Sequence, residues 1–242
     1  MKPIPTYDPS VFVGYPFLEH FIQKSEFIHG YSPDSALAVH TIGDEGGWLA
    51  IEGTLTPAEY ANIIHECLSS GCSIPRVSVP RALAHQLHVT PRSEWVWFLR
   101  RQPYPPRAVD SRIKKVTDNS KDKELTALLK LASPRASAMP GVDEIDFWLV
   151  AYLDEQLAGC IASTLYPNRH AHLASLAVHP EFRRQGLARE LTIRSIQESF
   201  ALGANGVSLG VYQHNQNALT LYRALDFDEE IPFTSFDLDS KG

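Results

Sequence analysis

The sequence predicts an α/β protein of the α+β kind, built from two domains, and three observations support this prediction. The chain has 242 residues, a length that suits one large domain or two small ones. Apolar runs of strand length and segments with helical spacing occur in both halves. Twelve of the 17 prolines lie at or before Pro106, and the three prolines of the run 103–106 lack a backbone N–H and have a fixed φ, which favours an extended connector. We therefore place the domain boundary within 103–110, between domains 1–105 and 106–242.

Composition excludes a disordered tail protein, a collagen and a small disulfide-dense scaffold. Hydrophobic residues make up 44% and charged residues 21% of the chain, as in ordinary globular proteins. The net charge of −6 argues against nucleic-acid binding, which needs a basic face. Without an apolar run of membrane-spanning length or a signal peptide, we expect no membrane partner and a cytoplasmic location. Cys67, Cys72 and Cys160 are too irregularly spaced for disulfides or a metal site, so we expect buried thiols and no metal.

The first half has a mixed pattern of short elements. Its predicted order is strand, strand, helix, helix, strand, at 37–40, 48–52, 56–69, 81–88 and 95–99. The glycine-rich loop 43–47 suits a hairpin between the first two strands. Thr56 followed by Pro57 and Glu59 is typical of a capped helix start, and Gly71 follows the predicted end of that helix. We find no catalytic constellation in this half.

The second half is more regular. Its predicted elements follow the order β-α-β-β-β-α-β-α-β and occupy 113–116, 120–131, 147–153, 157–165, 171–178, 186–202, 207–212, 217–225 and 233–238. Only three residues separate the strands 147–153 and 157–165, so a hairpin joins them. This element order is the main architectural prediction for the chain.

The junction after the strand ending at Val178 has the chemistry of an anion site. Arg183, Arg184, Gln185 and Gly186 form a loop that leads directly into a helix. Free N–H groups at a helix N-terminus favour negative charge, and glycine allows a close backbone approach. No Lys-Ser/Thr pair follows the glycine, so this is not a nucleotide-hydrolysing P-loop.

Two motifs together resemble the GNAT superfamily of N-acetyltransferases over about residues 112–238. Arg183, Gly186 and Ala188 fit its R-x-x-G-x-A pyrophosphate signature. Residues 215–227 fit its N-x-x-A-x-x-L-Y-x-x-x-G-F segment, except that Asp226 replaces the usual glycine. The resemblance implies a GNAT-like acyl-CoA N-acyltransferase fold with a mixed, splayed central sheet. Domain 1–105 is then either a degenerate copy of this fold or an unrelated cap that shapes the acceptor pocket.

The resemblance also implies a cofactor, acetyl-CoA, with CoA as product and no metal. The pyrophosphate would rest on the backbone N–H groups of Arg183, Arg184, Gln185, Gly186, Leu187 and Ala188. The pantetheine arm would pair with an open strand edge. That edge would consist of Leu176, Ala177 and Val178, and Asn215 would contact the same arm.

Two residues are the candidate catalytic groups. Tyr222 could protonate the CoA thiolate as a general acid, or it could serve only as a packing residue. His172 lies on the strand where some relatives carry a glutamate, and it is either the general base or a surface or capping histidine. Other base candidates are Glu144, Asp146, His179 and His214. A base is unnecessary if the amine arrives neutral.

The implied activity is transfer of an acetyl group from acetyl-CoA to a primary amine, directly within a ternary complex. The acceptor would be a small-molecule or peptide amine. The sequence does not set the oligomeric state, and a homodimer is one candidate because this fold often dimerises. The alternative is a non-catalytic acyl-CoA-binding sensor that regulates a partner. Asp226 and the absence of a carboxylate on strand 171–178 motivate this alternative.

Overall fold

The computed structural model describes residues 2–23, 26–33, 35–42, 47–106, 110–141 and 145–238. The chain forms two compact units, each assembled from several chain segments. The first unit contains Met1–Trp97, Val211–Gln216 and Glu230–Gly242. The second unit contains Phe98–Gly210 and Asn217–Glu229.

The division between the units differs from the boundary at 103–110 inferred from proline content. It falls between Trp97 and Phe98, inside a strand. The proline-rich run is fastened to the second unit, because Gln197 Nε2 donates to the Pro105 carbonyl at 3.0 Å and the Tyr104 hydroxyl donates to the Leu225 carbonyl. Residues 107–109 of the predicted connector and 43–46 of the predicted hairpin loop lie outside the described residues.

The elements fall into two series. Those up to residue 100 are β1 (Lys2–Ile4), α1 (Pro16–Phe21), β2 (Phe27–Ser32), β3 (Ala36–Thr41), β4 (Trp48–Gly53), α2 (Pro57–Ser69), β5 (Arg76–Pro80), α3 (Arg81–Leu87) and β6 (Ser93–Arg100). Those that follow are β7 (Ile113–Val116), α4 (Asp122–Ala132), β8 (Phe147–Leu153), β9 (Gln156–Leu165), β10 (His170–Val178), α5 (Leu187–Ala201), β11 (Gly206–Tyr212), α6 (Gln216–Arg223) and β12 (Glu229–Asp237).

Both units contain a mixed sheet with the same kind of pairing. In the first unit β1, β2, β3 and β4 are antiparallel neighbours, β5 lies parallel to β4, and β12 lies antiparallel to β5. In the second unit β7, β8, β9 and β10 are antiparallel neighbours and β11 lies parallel to β10. A parallel pair needs a crossover connection, and α2 and α5 provide it. The prediction of a mixed sheet is confirmed.

The element order β-α-β-β-β-α-β-α-β occurs twice along the chain, once from β1 to β6 and once from β7 to β12. The order predicted for residues 113–238 is confirmed, with every element present. Its repetition in the first half supports a degenerate copy of the same fold over an unrelated cap.

Apolar burial fixes the helices against the sheets. In the first unit, Ile63 and Cys67 on α2 are fully buried in a cluster that includes Val77 and Val79 of β5. In the second unit, Leu125 and Leu129 on α4 pack in a cluster with Trp148 and Cys160. The expectation of buried thiols holds for Cys67 and Cys160, whereas Cys72 is only half-buried. Within the described ranges, no helix is both long and apolar enough to cross a membrane.

Candidate active site

The second unit's sheet opens along β10. The parallel pairing of β10 with β11 runs from His170 to Leu173, opposite Gly206 to Leu209, although β10 continues to Val178. Among the described residues, the pairing with β11 does not extend past Leu173. The splayed sheet expected from the resemblance is therefore present.

A β-bulge accompanies this opening. The register of β10 with β9 shifts between Ala174 and Ala177, and Ser175 between them has a left-handed φ of 55°. The Ser175 hydroxyl donates to the Ala138 carbonyl at 2.8 Å and accepts from the Ala138 N–H at 2.9 Å. A bulge held in this way bends the strand and redirects its edge. The edge residues predicted to pair with a ligand arm, Leu176 to Val178, lie directly after it.

The N-terminus of α5 lies just after β10 in the chain. Gly186 precedes the helix with a φ of 78°, and no side chain caps this end. The first helical hydrogen bond runs from the Glu190 N–H to the Gly186 carbonyl. The N–H groups of the first turn therefore have no intrahelical acceptor and suit an anion. A Cβ built on Gly186 meets nothing within 4 Å, so glycine is required there by the backbone angle and not by crowding.

Arginine connects this loop to the strand. The Arg183 Nε donates to the Val178 carbonyl at 3.3 Å, so the loop folds back on the end of β10. Arg184 is exposed and adopts a left-handed φ of 62°. The N–H groups of Arg183 to Ala188, called the cradle below, and the predicted strand edge Leu176–Val178 are thus brought together in one part of the second unit.

Tyr222 lies on α6 with only 6% of its surface exposed. Its ring centroid is 5.8 Å from that of Phe98 and 6.1 Å from that of Phe227. Burial raises the pKa of the Tyr222 phenol above its ordinary value, so the hydroxyl stays protonated at neutral pH. The structure thus shows a packed ring with a protonated hydroxyl, and the role of this hydroxyl as a general acid stays a prediction.

His172 lies in the paired section of β10, before the sheet opens. Its Nδ1 is 3.1 Å from the Ser208 hydroxyl of β11. Burial lowers the pKa of His172 to about 4, because the charged imidazolium is poorly solvated there. The imidazole is neutral at pH 7 and is a weak proton acceptor. Ser208, which fixes this ring, was not singled out from the sequence because a lone serine on a buried strand carries no motif.

The remaining base candidates have other roles or lie elsewhere. The Asp146 carboxylate accepts the Leu165 N–H at 2.6 Å, and His179 Nδ1 accepts the Glu181 N–H at 3.4 Å. His214 belongs to the first unit, where its ring stacks on Tyr212. Glu144 lies outside the described residues.

Asn215, the predicted contact to the cofactor arm, also belongs to the first unit. Its backbone N–H donates to the Tyr212 carbonyl at 2.9 Å. Its contact with the cofactor stays a prediction.

Asp226 preserves the backbone that a glycine would give. Its φ is 55°, in the left-handed region that glycine adopts freely and that aspartate tolerates better than most residues. The Arg100 guanidinium donates to the Asp226 carbonyl, and the Tyr104 hydroxyl donates to the neighbouring Leu225 carbonyl. The departure from the motif therefore leaves the turn after α6 in place.

The first unit's crossover helix has a different N-terminus. The Thr56 hydroxyl accepts the Glu59 N–H at 3.3 Å, and the Glu59 carboxylate accepts the Thr56 N–H at 2.8 Å. This is the capping box expected from the sequence. Because a carboxylate already occupies this end and Pro57 has no N–H, α2 offers no equivalent of the cradle at Gly186.

Comparisons with known proteins agree with this geometry. Residues 118–227 match the acetyltransferase (GNAT) family. A curated relative, a thialysine N-epsilon-acetyltransferase of Caenorhabditis elegans, is 29% identical over 82 residues, which cover 32% of this chain and 51% of the relative. The chain thus spans about half the length of the curated relative that it matches.

Solved structures show the likeness of fold. A GCN5-related N-acetyltransferase from Kribbella flavida has a TM-score of 0.59 at 14% identity and covers 98% of this chain and 97% of its own. A GNAT family acetyltransferase from Colwellia psychrerythraea has a TM-score of 0.54 at 11% identity, covering 98% of this chain and 100% of its own. The match of residues 118–227 to the acetyltransferase (GNAT) family and the opened sheet agree with this likeness of fold.

Proposed function

We propose that the protein is an N-acetyltransferase that uses acetyl-CoA and acetylates a primary amine by direct transfer in a ternary complex. One observation carries the proposal. The edge of β10 opens after Leu173 and leads into a helix N-terminus that no side chain caps. An extended ligand with amides at one end and phosphates at the other matches this sequence of surfaces.

The residues of the second unit divide the work of binding. The N–H groups from Arg183 to Ala188 would hold the pyrophosphate, and the edge Leu176–Val178 would pair with the amides of the pantetheine arm. Acetyl-CoA would supply the acetyl group as a reactive thioester. Backbone donors at the open edge would stabilise charge on the thioester oxygen during attack.

Two side chains serve the proton transfers in this proposal. Tyr222 would donate its proton to the thiolate of the departing CoA. His172 would accept one only weakly, since its pKa is about 4, so the amine, with a pKa of about 10, would lose its proton to solvent before binding and attack as its neutral minority form. The N–H proton released as the amide forms would also pass to solvent, from which Tyr222 would recover the proton that it gives to the thiolate. Cys160 is fully buried and burial raises its pKa to about 12, which speaks against a covalent thioester on Cys160 and is consistent with direct transfer.

The acceptor class follows from the relative. The Caenorhabditis elegans protein is named for acetylation of thialysine, so we propose a small-molecule amine as acceptor. A peptide amine is the alternative that the same assay tests. The homodimer and the cytoplasmic location are further proposals, and size-exclusion chromatography with light scattering tests the first of them.

A thermal-shift measurement tests the cofactor site. At 100 times the dissociation constant, a ligand adds about 2.7 kcal/mol of stability, which is roughly 5–10 °C for a chain of this size. Acetyl-CoA should produce such a shift in the wild type and a smaller one in Arg184→Ala. The matched control is Arg194→Ala. This change removes an arginine that pairs with Glu198 within α5, away from the helix N-terminus, so the variant should keep the full shift. No shift with millimolar acetyl-CoA would overturn the proposal.

Thiol release from acetyl-CoA across a panel of small amines and peptides tests turnover. Release that depends on the amine supports the enzyme and identifies its acceptor. A thermal shift without turnover on any amine would instead support the acyl-CoA-binding sensor.

A further inference from the structure

Three ligand-type side chains meet in the first unit, far in sequence from the acetyltransferase motifs. β2 and β3 are antiparallel, and their register places His29 opposite His40. The two ring centroids are 5.2 Å apart. Cys72 follows the end of α2, and its sulfur lies 2.9 Å from His29 Nε2. One nitrogen of each histidine and the Cys72 sulfur all lie within 4.8 Å of one another.

Local structure fixes the orientation of His40. The residue is 3% exposed, and its Nε2 donates to the Ser73 carbonyl at 3.1 Å. Its Nδ1 is buried and has no hydrogen-bond partner in the part of the chain that the structure describes. Metal-binding histidines commonly donate their second nitrogen to a backbone carbonyl in this way.

Gly47 makes this arrangement possible. A Cβ at Gly47 would lie 2.3 Å from the Ser73 carbonyl oxygen and 3.0 Å from His40 Nε2. Its φ of 146° is also one that other residues rarely adopt. The chain therefore keeps a glycine where the carbonyl that orients His40 must approach closely.

The ligand types suit a soft or borderline cation. A neutral imidazole offers a nitrogen lone pair, and the Cys72 thiol must release its proton when an ion binds. Two imidazoles and one thiolate are the ligand types that zinc prefers.

We propose that His29, His40 and Cys72 form a binding site for a zinc-type divalent ion, with the fourth position left to solvent. Zinc bonds of 2.0–2.1 Å to nitrogen and 2.3 Å to sulfur in a tetrahedron place the ligand atoms roughly 3.3–3.6 Å apart. The 2.9 Å contact between Cys72 and His29 would widen by about half an ångström. The other two ligand-atom separations, each at most 4.8 Å, would adjust to the same range. This inference does not depend on acetyl transfer.

Cobalt(II) is the spectroscopic probe for this site. The full-length protein, stripped of metal and kept in a phosphine reductant, should bind one equivalent of Co²⁺ and show a thiolate-to-cobalt charge-transfer band. Zn²⁺ should displace the cobalt and abolish the band. Cys72→Ser should remove the band, and His40→Gln should weaken cobalt binding by at least about tenfold, as loss of a ligand should exceed the loss of an outer-shell partner.

The matched control is Cys67→Ser, which removes the neighbouring thiol on α2. It should keep the band, and circular dichroism should show that each variant is folded. A second measurement needs no variant: Zn²⁺ should slow alkylation of Cys72 in the wild type, measured by mass spectrometry of the peptides. A folded wild type without the charge-transfer band, a band that survives in Cys72→Ser, or alkylation of Cys72 unaffected by Zn²⁺ would each overturn the metal site.

Discussion

At the scale of single residues, position 226 shows how a motif can change while its geometry persists. The glycine of the family pattern supplies a left-handed backbone, and Asp226 supplies the same one with a φ of 55°. The sequence alone suggested that this substitution could mark a non-catalytic protein. Because the turn that follows α6 is intact, Asp226 no longer argues for a non-catalytic protein. The second reason for that alternative, the absence of a carboxylate on β10, remains.

Tyr222 gives the first prediction at this scale. Tyr222→Phe removes only the hydroxyl from a packed ring, so the fold and acetyl-CoA binding should persist. Loss of a general acid should lower kcat by about 10²–10⁴-fold. Steady-state thiol release and a binding titration on the same preparation measure both quantities. Tyr152→Phe is the control, since the contacts of its hydroxyl that the structure describes are with Glu124 and Lys121 at the surface; it should keep wild-type turnover. Full activity in Tyr222→Phe would show that Tyr222 is a packing residue and not the general acid.

His172 gives a pH prediction. Its pKa is about 4 in the folded protein and about 6.5 in an unfolded chain. Between these values the unfolded state binds more protons, so the free energy of unfolding falls as the pH drops from 6.5 towards 4. His172 should contribute a slope of up to about 1.4 kcal/mol per pH unit in this window. This stabilisation is fully present above pH 6.5.

Urea unfolding at several pH values between 5 and 8 measures the slope. His172→Gln should make it shallower by the contribution of one proton and should leave it unchanged above pH 7. His170, whose pKa burial also lowers to about 4, keeps the variant's slope above zero. Equal slopes in wild type and variant would show that His172 is not held neutral.

At the scale of elements, prediction from sequence succeeds where the local pattern matches the fold and fails where pairing partners are distant. Strand β8 is a continuous apolar run and helix α4 has helical apolar spacing, and both were found where the sequence places them. Strand β2 was missed because Gly30 interrupts its apolar pattern, and β5 because Pro75 precedes it and Pro80 ends it. β12 begins at Glu229 and not at residue 233.

The site residues also fall into those that a local motif predicts and those that depend on distant pairing. The cradle at Gly186 and the opened edge of β10 follow from a local motif with a known geometry. The proposed metal site could not be predicted, because His29, His40 and Cys72 are separated by irregular spacings. Only the β2–β3 register and the turn after α2 bring them together. The partner of His172, Ser208, depends likewise on the pairing of β10 with β11.

Two glycines beside helices test what the cradle requires. Gly186 and Gly71 have φ values of 78° and 79°, and a Cβ at either meets nothing within 4 Å. Replacing either with alanine should cost about 1–2 kcal/mol of stability through backbone strain alone. Gly186→Ala should also weaken acetyl-CoA binding, whereas Gly71→Ala, after α2, should not. Equal affinities in the two variants, measured by calorimetry, would contradict the cradle.

At the scale of the whole molecule, the chain repeats one element order, but the crossover helices of its two units have different N-termini. The open helix end at Gly186 lies in the second unit, and the equivalent end in the first unit is filled by Thr56 and Glu59. A carboxylate at that helix end would repel a pyrophosphate, so the first copy should not bind acetyl-CoA. The repeated element order is thus compatible with cofactor binding in the second unit alone.

Isothermal titration should therefore give one equivalent of acetyl-CoA per chain. Gly186→Ala should weaken the single binding event and reveal no second one, because the matching N-terminus of α2 in the first unit is filled by its capping box. Thr56→Ala should cost about 1 kcal/mol of stability through loss of the helix cap and leave the stoichiometry at one, since Pro57 and Glu59 remain. A stoichiometry of two in the wild type would show that the first unit still binds the cofactor, and the capping box would then have to open on binding. A stoichiometry of one that survives Gly186→Ala with unchanged affinity would place the cofactor away from α5.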